Sequence, residues 1–209
     1  MRLFIATPSP FSRKVRIFLR ETKITCEELT TNPWSNNTDI GKYNPLAKIP
    51  ILLTDDGKTV FDSSLIIEYL HKLHPEQSLI PKNFHAYLAV KRLEKVADGI
   101  CDAAVLIILE KHRSITLQSG AWISRQEEKI FNGLTFLSEE LNEKDFFATG
   151  RVTIADISVG CALSYLDLRL PDLVWRENYP KLGAFSSSIE KRPSFQETLL
   201  STQEIPPVD

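Results

Sequence analysis

The first thirty residues of the chain alternate between the pattern of a strand and the pattern of a helix. A short apolar run at 3–6 is followed by Ser9 and Pro10, a helix cap with proline at the first helical position. Apolar residues then recur at helical spacing over 11–19, and the stretch 24–29 is β-prone. Strand, helix and strand in this order predict a parallel pair of strands joined by a crossover helix.

A second group of strand and helix patterns follows before residue 75. The stretches 49–53 (IPILL) and 58–61 (KTVF) flank the sequence TDDG at 54–57, whose glycine suits a tight turn, so they predict a hairpin. Asp62 and Ser63 then precede apolar residues at helical spacing over 65–73. The first part of the chain is therefore expected to be an α/β domain with the order βαβ–ββα.

The pattern changes after His74, where a proline-bounded connector leads into a part with helical patterns only. The apolar positions predict a long helix over 93–108, a second over 130–141 and a third beginning at Thr153. We therefore predict two domains. The α/β domain covers 1–76, the all-helical domain covers 83–209, and 77–82 is the linker between them.

Composition and charge exclude several classes of function. The formal net charge is −2, which gives no basic field for nucleic acid or an anionic membrane. No stretch approaches the roughly 20 apolar residues that a membrane span needs. The three cysteines are odd in number and far apart, so they predict no disulfide framework and favour a reducing compartment, by default the cytoplasm. His71 and His74 have no third ligand nearby in the sequence, so no metal site is predicted.

Four local motifs occur in order along the chain. They are SPFSRKVR at 9–16, NPLAKIPIL at 44–52, FDS at 61–63 followed by IIEYL at 66–70, and TIADI at 153–157. Together with an α/β half and a helical half, they resemble the cytosolic glutathione transferases over essentially the whole chain. The first motif is similar to that of the serine-type members, which include theta, zeta and related bacterial forms.

The resemblance implies a fold and an activity. The fold is a thioredoxin-like domain followed by a helical bundle. The activity is that of a transferase in detoxification, which activates the thiol of its co-substrate glutathione as a thiolate for conjugation to a small, mostly hydrophobic electrophile. Members of the family pair as homodimers, so the resemblance also implies a homodimer.

Ser9 is the residue that the resemblance assigns to the glutathione sulfur. Taken alone, it is a helix cap whose hydroxyl accepts a backbone N–H. A hydroxyl that donates to a thiolate at the positive end of a helix would also lower the pKa of a thiol, which is ordinarily near 8.5. Ser12 is a rival for this role. The segment 9–12 has the frame of a glutaredoxin-like Cys-Pro-aromatic-Cys turn, but with serine at both ends it cannot carry dithiol exchange.

The resemblance also names residues that would bind the rest of glutathione. In a thioredoxin-like fold the Ile49–Pro50 bond is cis, and the Ile49 amide and carbonyl would face the site and pair with the cysteinyl part of the tripeptide. Asp62 and Ser63, whose simplest role is to cap a helix, would bind the ammonium and carboxylate of the γ-glutamyl end. Lys48 would either contact the glycyl carboxylate or be a solvated side chain.

Alternatives to this transferase remain at the sequence level. One is an isomerase of the zeta type, although that type carries a Ser-Ser-Cys run where this chain has residues 9–11. Another is a glutathione peroxidase. A third is an interaction or regulatory protein that has the fold without catalysis. Such proteins often lose the acidic-Ser pair that Asp62 and Ser63 retain here.

One motif is expected to be structural only. Thr153 and Asp156 have the spacing of a capping box, and Val152 and Ile157 suit the hydrophobic staple that flanks one. We expect this pair to start a core helix of the second domain.

Overall fold

The computed structural model describes residues 1–35, 38–77 and 79–203. It divides into two compact units, the first made of Met1–Ile80 together with the segment that starts at Pro193, and the second of Pro81–Arg192. The predicted helical domain, 83–209, includes the segment from Pro193, which the structure groups with the first unit. Within the predicted linker, Ser78 lies outside the described residues, as does the end of the chain from 204 onward.

The first unit contains a sheet of four strands. They are β1 (Arg2–Ile5), β2 (Glu27–Thr30), β3 (Ile51–Leu53) and β4 (Thr59–Val60). Their order is β2-β1-β3-β4, with β1 parallel to β2 and antiparallel to β3, while β3 and β4 form an antiparallel hairpin. The hairpin turns at Gly57, whose φ of 80° is open to glycine at little cost. The predicted βαβ–ββα order is confirmed.

Helices α1 (Pro10–Glu21) and α2 (Ser63–Leu73) complete the α/β part of the unit. Each places an apolar stripe in the core, where Val15, Phe18, Ile66 and Ile67 are fully buried. Burial of such a side chain stabilises the fold by about 1.5–3 kcal/mol relative to an exposed one.

The second strand begins later than predicted, because the C-terminal cap of α1 extends into the predicted range. Lys23 adopts a φ of 56° and its amide donates to the Arg20 carbonyl at 3.1 Å. The Ile24 amide donates to the Leu19 carbonyl at 3.0 Å. This pair of bonds is a Schellman motif, formed here without glycine. It takes Ile24 out of the strand, which starts at Glu27.

The second unit is helical, as predicted. Its helices are α3 (Phe84–His112), α4 (Gly120–Leu141), α5 (Ile154–Arg169), α6 (Trp175–Asn178) and α7 (Pro180–Ile189). Helix α5 is buried along most of its length and packs against α3, which also packs against α4. Gly133 allows the closest approach of α4 to α3, because a Cβ there would lie 2.8 Å from a side-chain carbon of Ile100. Among the described residues, no helix is long and apolar enough to cross a membrane.

The start of α5 is a closed network of hydrogen bonds. Asp156, which is fully buried, accepts from the Thr153 amide at 2.8 Å, from the Thr153 hydroxyl at 2.7 Å and from the Phe147 amide at 2.9 Å. The predicted capping box is thus confirmed. Burial raises the pKa of Asp156, and the donated hydrogen bonds oppose that rise.

The chain returns to the first unit through a short helix, α8 (Pro193–Gln196), and a segment that reaches Gln203. The side chain of Phe195 is fully buried there. The hydrophobic pattern does not predict this return to the first unit, because a four-residue helix is too short to display a period.

Candidate functional site

Three loops meet at one edge of the sheet in the first unit. Strand β1 ends at this edge, and β3 begins there because Phe4 lies opposite Ile51 in the antiparallel register. Strand β4 ends at the same edge, since Val60 lies opposite Leu52. The sheet therefore brings together the loop after β1, the loop before β3 and the start of α2, which carry the residues singled out from the sequence.

Ser9 lies in the turn between β1 and α1. Its amide donates to the Ala6 carbonyl at 3.0 Å, and its hydroxyl oxygen accepts from the Ser12 amide at 3.1 Å. The hydroxyl proton finds no acceptor among the described residues. The half-buried side chain is therefore a helix cap and, at the same time, a hydrogen-bond donor with its proton still available.

Ser12 lies one turn further along α1 and is fully buried. Its hydroxyl oxygen accepts from the Ala6 amide at 3.4 Å. It thus ties the start of the Ala6–Ser9 turn to the helix. Its burial makes it less accessible to a ligand than Ser9.

The loop before β3 is held by Asn44, a buried residue to which no role was assigned from the sequence. The Asn44 side chain donates to the Lys48 carbonyl at 2.8 Å and accepts from the Leu46 amide at 3.0 Å. The Ile49–Pro50 peptide bond is cis. Neither the amide nor the carbonyl of Ile49 has a hydrogen-bond partner within the described ranges. Asn44 therefore shapes a loop that presents a free backbone amide and carbonyl.

Lys48 lies in the same loop, and its side chain is exposed. Its ammonium group forms no ion pair with any residue that the structure describes. The geometry is consistent with either of the two roles expected for Lys48, because a free ammonium at the site edge could bind a carboxylate or be solvated.

Asp62 caps α2 with one of its two carboxylate oxygens. Its Oδ1 accepts from the Ser64 amide at 2.9 Å and from the Leu65 amide at 3.2 Å. The residue is exposed, and Oδ2 has no partner in the described part of the chain. The amide and the hydroxyl of the adjacent Ser63 are likewise without a partner there. The start of α2 therefore keeps one negative oxygen and two donors for a ligand.

A buried lysine connects α1 to the start of α2. Lys14 is 1% exposed, and its ammonium donates to the Ser64 hydroxyl at 3.5 Å. No sequence signal predicts this contact, since Lys14 falls within a run of basic residues that suggests a solvated helix face. Lys14 and Asn44 are the two residues near the site whose importance the sequence did not reveal.

The sequence matches one protein family in both halves. Residues 8–73 match the family described as glutathione S-transferase, N-terminal domain, and residues 120–186 match glutathione S-transferase, C-terminal domain. The chain belongs to the glutathione S-transferase family. The resemblance and the fold class inferred from the sequence are thereby confirmed.

Individual relatives of this glutathione S-transferase family member cover nearly its whole length. The GST-like protein YibF of Escherichia coli is 33% identical over 95% of this chain and 98% of its own. A glutathione S-transferase of Methylobacterium radiotolerans, solved in complex with glutathione sulfonate, is 40% identical with a TM-score of 0.95, covering 98% of this chain and 96% of that one. A glutathione S-transferase of Methylobacillus flagellatus, solved with glutathione bound, is 36% identical with a TM-score of 0.92, covering 96% and 99%.

None of the three cysteines of this transferase-family chain, all of them among the described residues, forms a disulfide bond. Cys101 and Cys161 are buried, and Cys26 is half-buried. Burial raises the pKa of the Cys26 thiol to about 11, so it is protonated at neutral pH. In the part of the chain that the structure describes, no group of three or more His, Cys, Asp or Glu side chains is arranged to hold a metal ion.

Proposed function

We propose that the protein binds glutathione at this edge of the sheet and activates its thiol as a thiolate, which then attacks a small, mostly hydrophobic electrophile. The observation that carries the proposal is the hydroxyl of Ser9, whose oxygen is already engaged as a cap and whose proton is free to donate. A hydroxyl that accepts a hydrogen bond becomes a better donor, and the start of α1 favours negative charge. Both effects favour a thiolate over a thiol at Ser9.

The other free groups at the edge suit the remaining parts of glutathione. The Ile49 amide and carbonyl would pair with its cysteinyl backbone beside Pro50. The free oxygen of Asp62 would bind the γ-glutamyl ammonium, and the Ser63 amide and hydroxyl its carboxylate. Lys48 would bind the glycyl carboxylate. The glutathione and glutathione sulfonate bound in the two solved relatives support glutathione as the ligand.

The chemistry follows from these contacts. Glutathione loses its thiol proton to solvent, and the Ser9 hydroxyl donates to the sulfur anion that results. The sulfur then forms a bond to an electrophilic carbon, which releases a leaving group with its electron pair or passes that pair to an adjacent electron-withdrawing group. The protein lowers the free energy of the thiolate and holds it in place, and the electrophile supplies the driving force.

The test combines binding with a titration. The wild-type protein should be retained on immobilised glutathione and eluted by free glutathione; failure to bind would refute the proposal. Ultraviolet titration of bound glutathione should then give a thiol pKa below the ordinary 8.5 or so. Ser9→Ala should keep binding and raise that pKa, while Ser12→Ala should leave it closer to the wild-type value. If Ser12→Ala raised the thiol pKa more than Ser9→Ala did, Ser12 would be the residue that stabilises the sulfur anion. If neither substitution changed the thiol pKa, backbone donors would have that role.

A screen of electrophiles would separate the transferase from its alternatives. Conjugation of a chloroaromatic substrate supports the transferase, and turnover of a peroxide or a cis-dienone without conjugate would indicate a peroxidase or an isomerase. Retention on glutathione with no turnover of any class would favour an interaction or regulatory protein.

We also infer a homodimer in the cytoplasm, with a role in detoxification. The family supports the homodimer, and three described cysteines without a disulfide bond support a reducing compartment. Sedimentation at the monomer mass of 23.8 kDa would contradict the homodimer.

A further inference from the structure

The segment from Pro193 to Gln203, here called the C-terminal strap, runs back along α1 within the first unit. Near its beginning, Ser194 donates to Glu21 at the end of α1, over 2.5 Å. Near its end, the Ser201 amide donates to the carbonyl of Thr7, which precedes α1, over 3.4 Å. The strap therefore spans the helix from its last residue to the turn before its first.

The buried anchor of the strap is Arg13, which is 2% exposed. Its guanidinium donates to the Phe195 carbonyl at 3.1 Å and lies 5.2 Å from the centre of the Phe195 ring. A planar guanidinium that both stacks on a ring and donates to a carbonyl is fixed in position and in direction. Arg13 follows Ser12 in α1, so the anchor holds the first turn of the helix.

A second contact between the strap and α1 is exposed and contributes less to holding the strap in place. Arg20 forms an ion pair with Glu197 at 3.2 Å, and both side chains are partly in solvent. Ion pairs of this kind contribute little to stability. The strap is thus held chiefly by the buried Arg13 anchor and by the hydrogen bonds near its beginning and its end.

The end of the strap contacts the turn that carries Ser9. Thr7, the acceptor of the Ser201 amide, lies inside the turn closed by the bond from the Ser9 amide to the Ala6 carbonyl. The side chain of Gln203 donates to the carbonyl of Thr31, just after β2, at 3.3 Å. The turn is therefore tied on one side by Ser12 and on the other by the strap.

We propose that Arg13 and the C-terminal strap position the hydroxyl of Ser9 for its hydrogen bond to the glutathione sulfur, an inference that rests on the proposed function. Arg13 is a positioning residue: it acts through the first turn of α1, and Ser201 acts through Thr7. Neither needs to touch the substrate.

The thiol pKa is the quantity that such positioning controls. A hydrogen bond weakens steeply when its angle departs from linearity, so a small rotation of the Ser9 turn costs thiolate stabilisation. Affinity for glutathione would rest mainly on Asp62, Ser63 and Ile49, to which the described residues of the strap form no hydrogen bond or ion pair. Disturbing the strap should therefore raise the pKa of the bound thiol while the Kd for glutathione changes little.

The first experiment uses Ser201, where two substitutions differ in one backbone donor. Proline removes the amide hydrogen that bonds to Thr7, and alanine keeps it. Ser201→Pro should raise the pKa of bound glutathione by about half a unit, which lowers kcat/KM about threefold at pH 6.5. Ser201→Ala should match the wild type in both measurements.

The second experiment uses the buried anchor. Arg13→Met should raise the bound thiol pKa by about one unit, a tenfold loss of thiolate at a pH below that pKa. Leu134→Ala, in the core of the second unit, is the control for lost stability: it should lower Tm and leave the thiol pKa unchanged. In a Ser9→Ala background Arg13→Met should cause no further rise, because the donor that it positions is gone.

The outcomes separate this inference from the function on which it rests. A wild-type thiol pKa below the ordinary value that stays unchanged in Ser201→Pro and Arg13→Met would overturn the positioning role and leave the proposed function intact. The positioning role would also be overturned if Arg13→Met raised the thiol pKa in the Ser9→Ala background by as much as it does in the wild type. A wild-type protein that does not bind glutathione would overturn both. If Arg13→Met does not fold, the comparison of Ser201→Pro with Ser201→Ala tests the positioning role by itself.

Discussion

The start of α5 in the second unit and the starts of α1 and α2 in the first unit use similar residue types and leave different groups available. In the second unit, both oxygens of Asp156 accept hydrogen bonds, and the Thr153 hydroxyl donates to one of them. In the first unit, Asp62 uses one oxygen for its helix, and Ser9 uses its oxygen but not its proton. At the start of α5 both carboxylate oxygens and the hydroxyl proton are engaged, whereas at the starts of α1 and α2 one hydroxyl proton and one carboxylate oxygen remain available.

Asp156→Ala should have the largest effect, on stability alone. The change removes the acceptor of three hydrogen bonds and leaves the Thr153 and Phe147 amides buried without it, which should lower the free energy of unfolding by about 3 kcal/mol. Urea denaturation measures this loss. Glutathione affinity of the folded fraction should be unchanged, and a loss of affinity larger than the loss of folded protein would break the distinction between the two kinds of cap.

Asp62→Asn should have the opposite effect, a loss of glutathione affinity with little change in stability. Asparagine caps a helix as well as aspartate does, so the free energy of unfolding should change little. The negative charge that would bind the γ-glutamyl ammonium is lost, and calorimetry should find the Kd for glutathione raised about tenfold or more. An unchanged Kd would remove Asp62 from the site and make its cap a purely structural one.

Thr153→Ala and Ser9→Ala form a matched pair of smaller changes. Each removes one cap hydroxyl, and each should lower the free energy of unfolding by about 1 kcal/mol. Only Ser9→Ala should raise the pKa of bound glutathione. If Thr153→Ala raised it as well, the thiol pKa would be reporting general loosening of the fold rather than a local donor.

The smallest expected effect is the pH dependence of the contribution that Asp156 makes to the free energy of unfolding. Because burial raises its pKa in the folded protein, the folded state holds this proton more tightly than the unfolded chain does. Its stabilising contribution is therefore complete below the ordinary aspartate pKa and is lost as pH rises through the folded-state pKa. Relative to Asp156→Asn, the wild type should gain stability as the pH is lowered from 7 toward 4, measured by urea denaturation at each pH. A relative loss on acidification would mean that the donated hydrogen bonds outweigh burial.

Local chemistry made much of this fold predictable. The caps at Ser9, Asp62 and Thr153 and the turn at Gly57 each depend on a few adjacent residues, and all four were identified from the sequence. The candidate residues at the sheet edge were found because their motifs resemble a family. Periodicity alone would have made Ser9 and Asp62 simple caps.

The features that escaped prediction depend on contacts between distant parts of the chain or on an unusual backbone. Lys14 has the sequence context of a solvated helix face, and its burial follows only from the packing of α1 against α2. Lys23 ends α1 in a left-handed conformation. A glycine at this position would have predicted that conformation, but a lysine does not. The contact of Arg13 with Phe195 joins residues that are 182 positions apart, beyond the reach of any local pattern.

The return of the chain at Pro193 has a consequence for how the protein is made. A ribosome delivers β1 to α2 early, then all of the second unit, and only afterwards Phe195 and Ser201. The first unit, although it is synthesised first, cannot close its contacts with Arg13 and Thr7 until the whole second unit and residues 195–201 have been synthesised. In a nascent chain, the Ser9 turn would thus lack these contacts until residues 195–201 leave the exit tunnel.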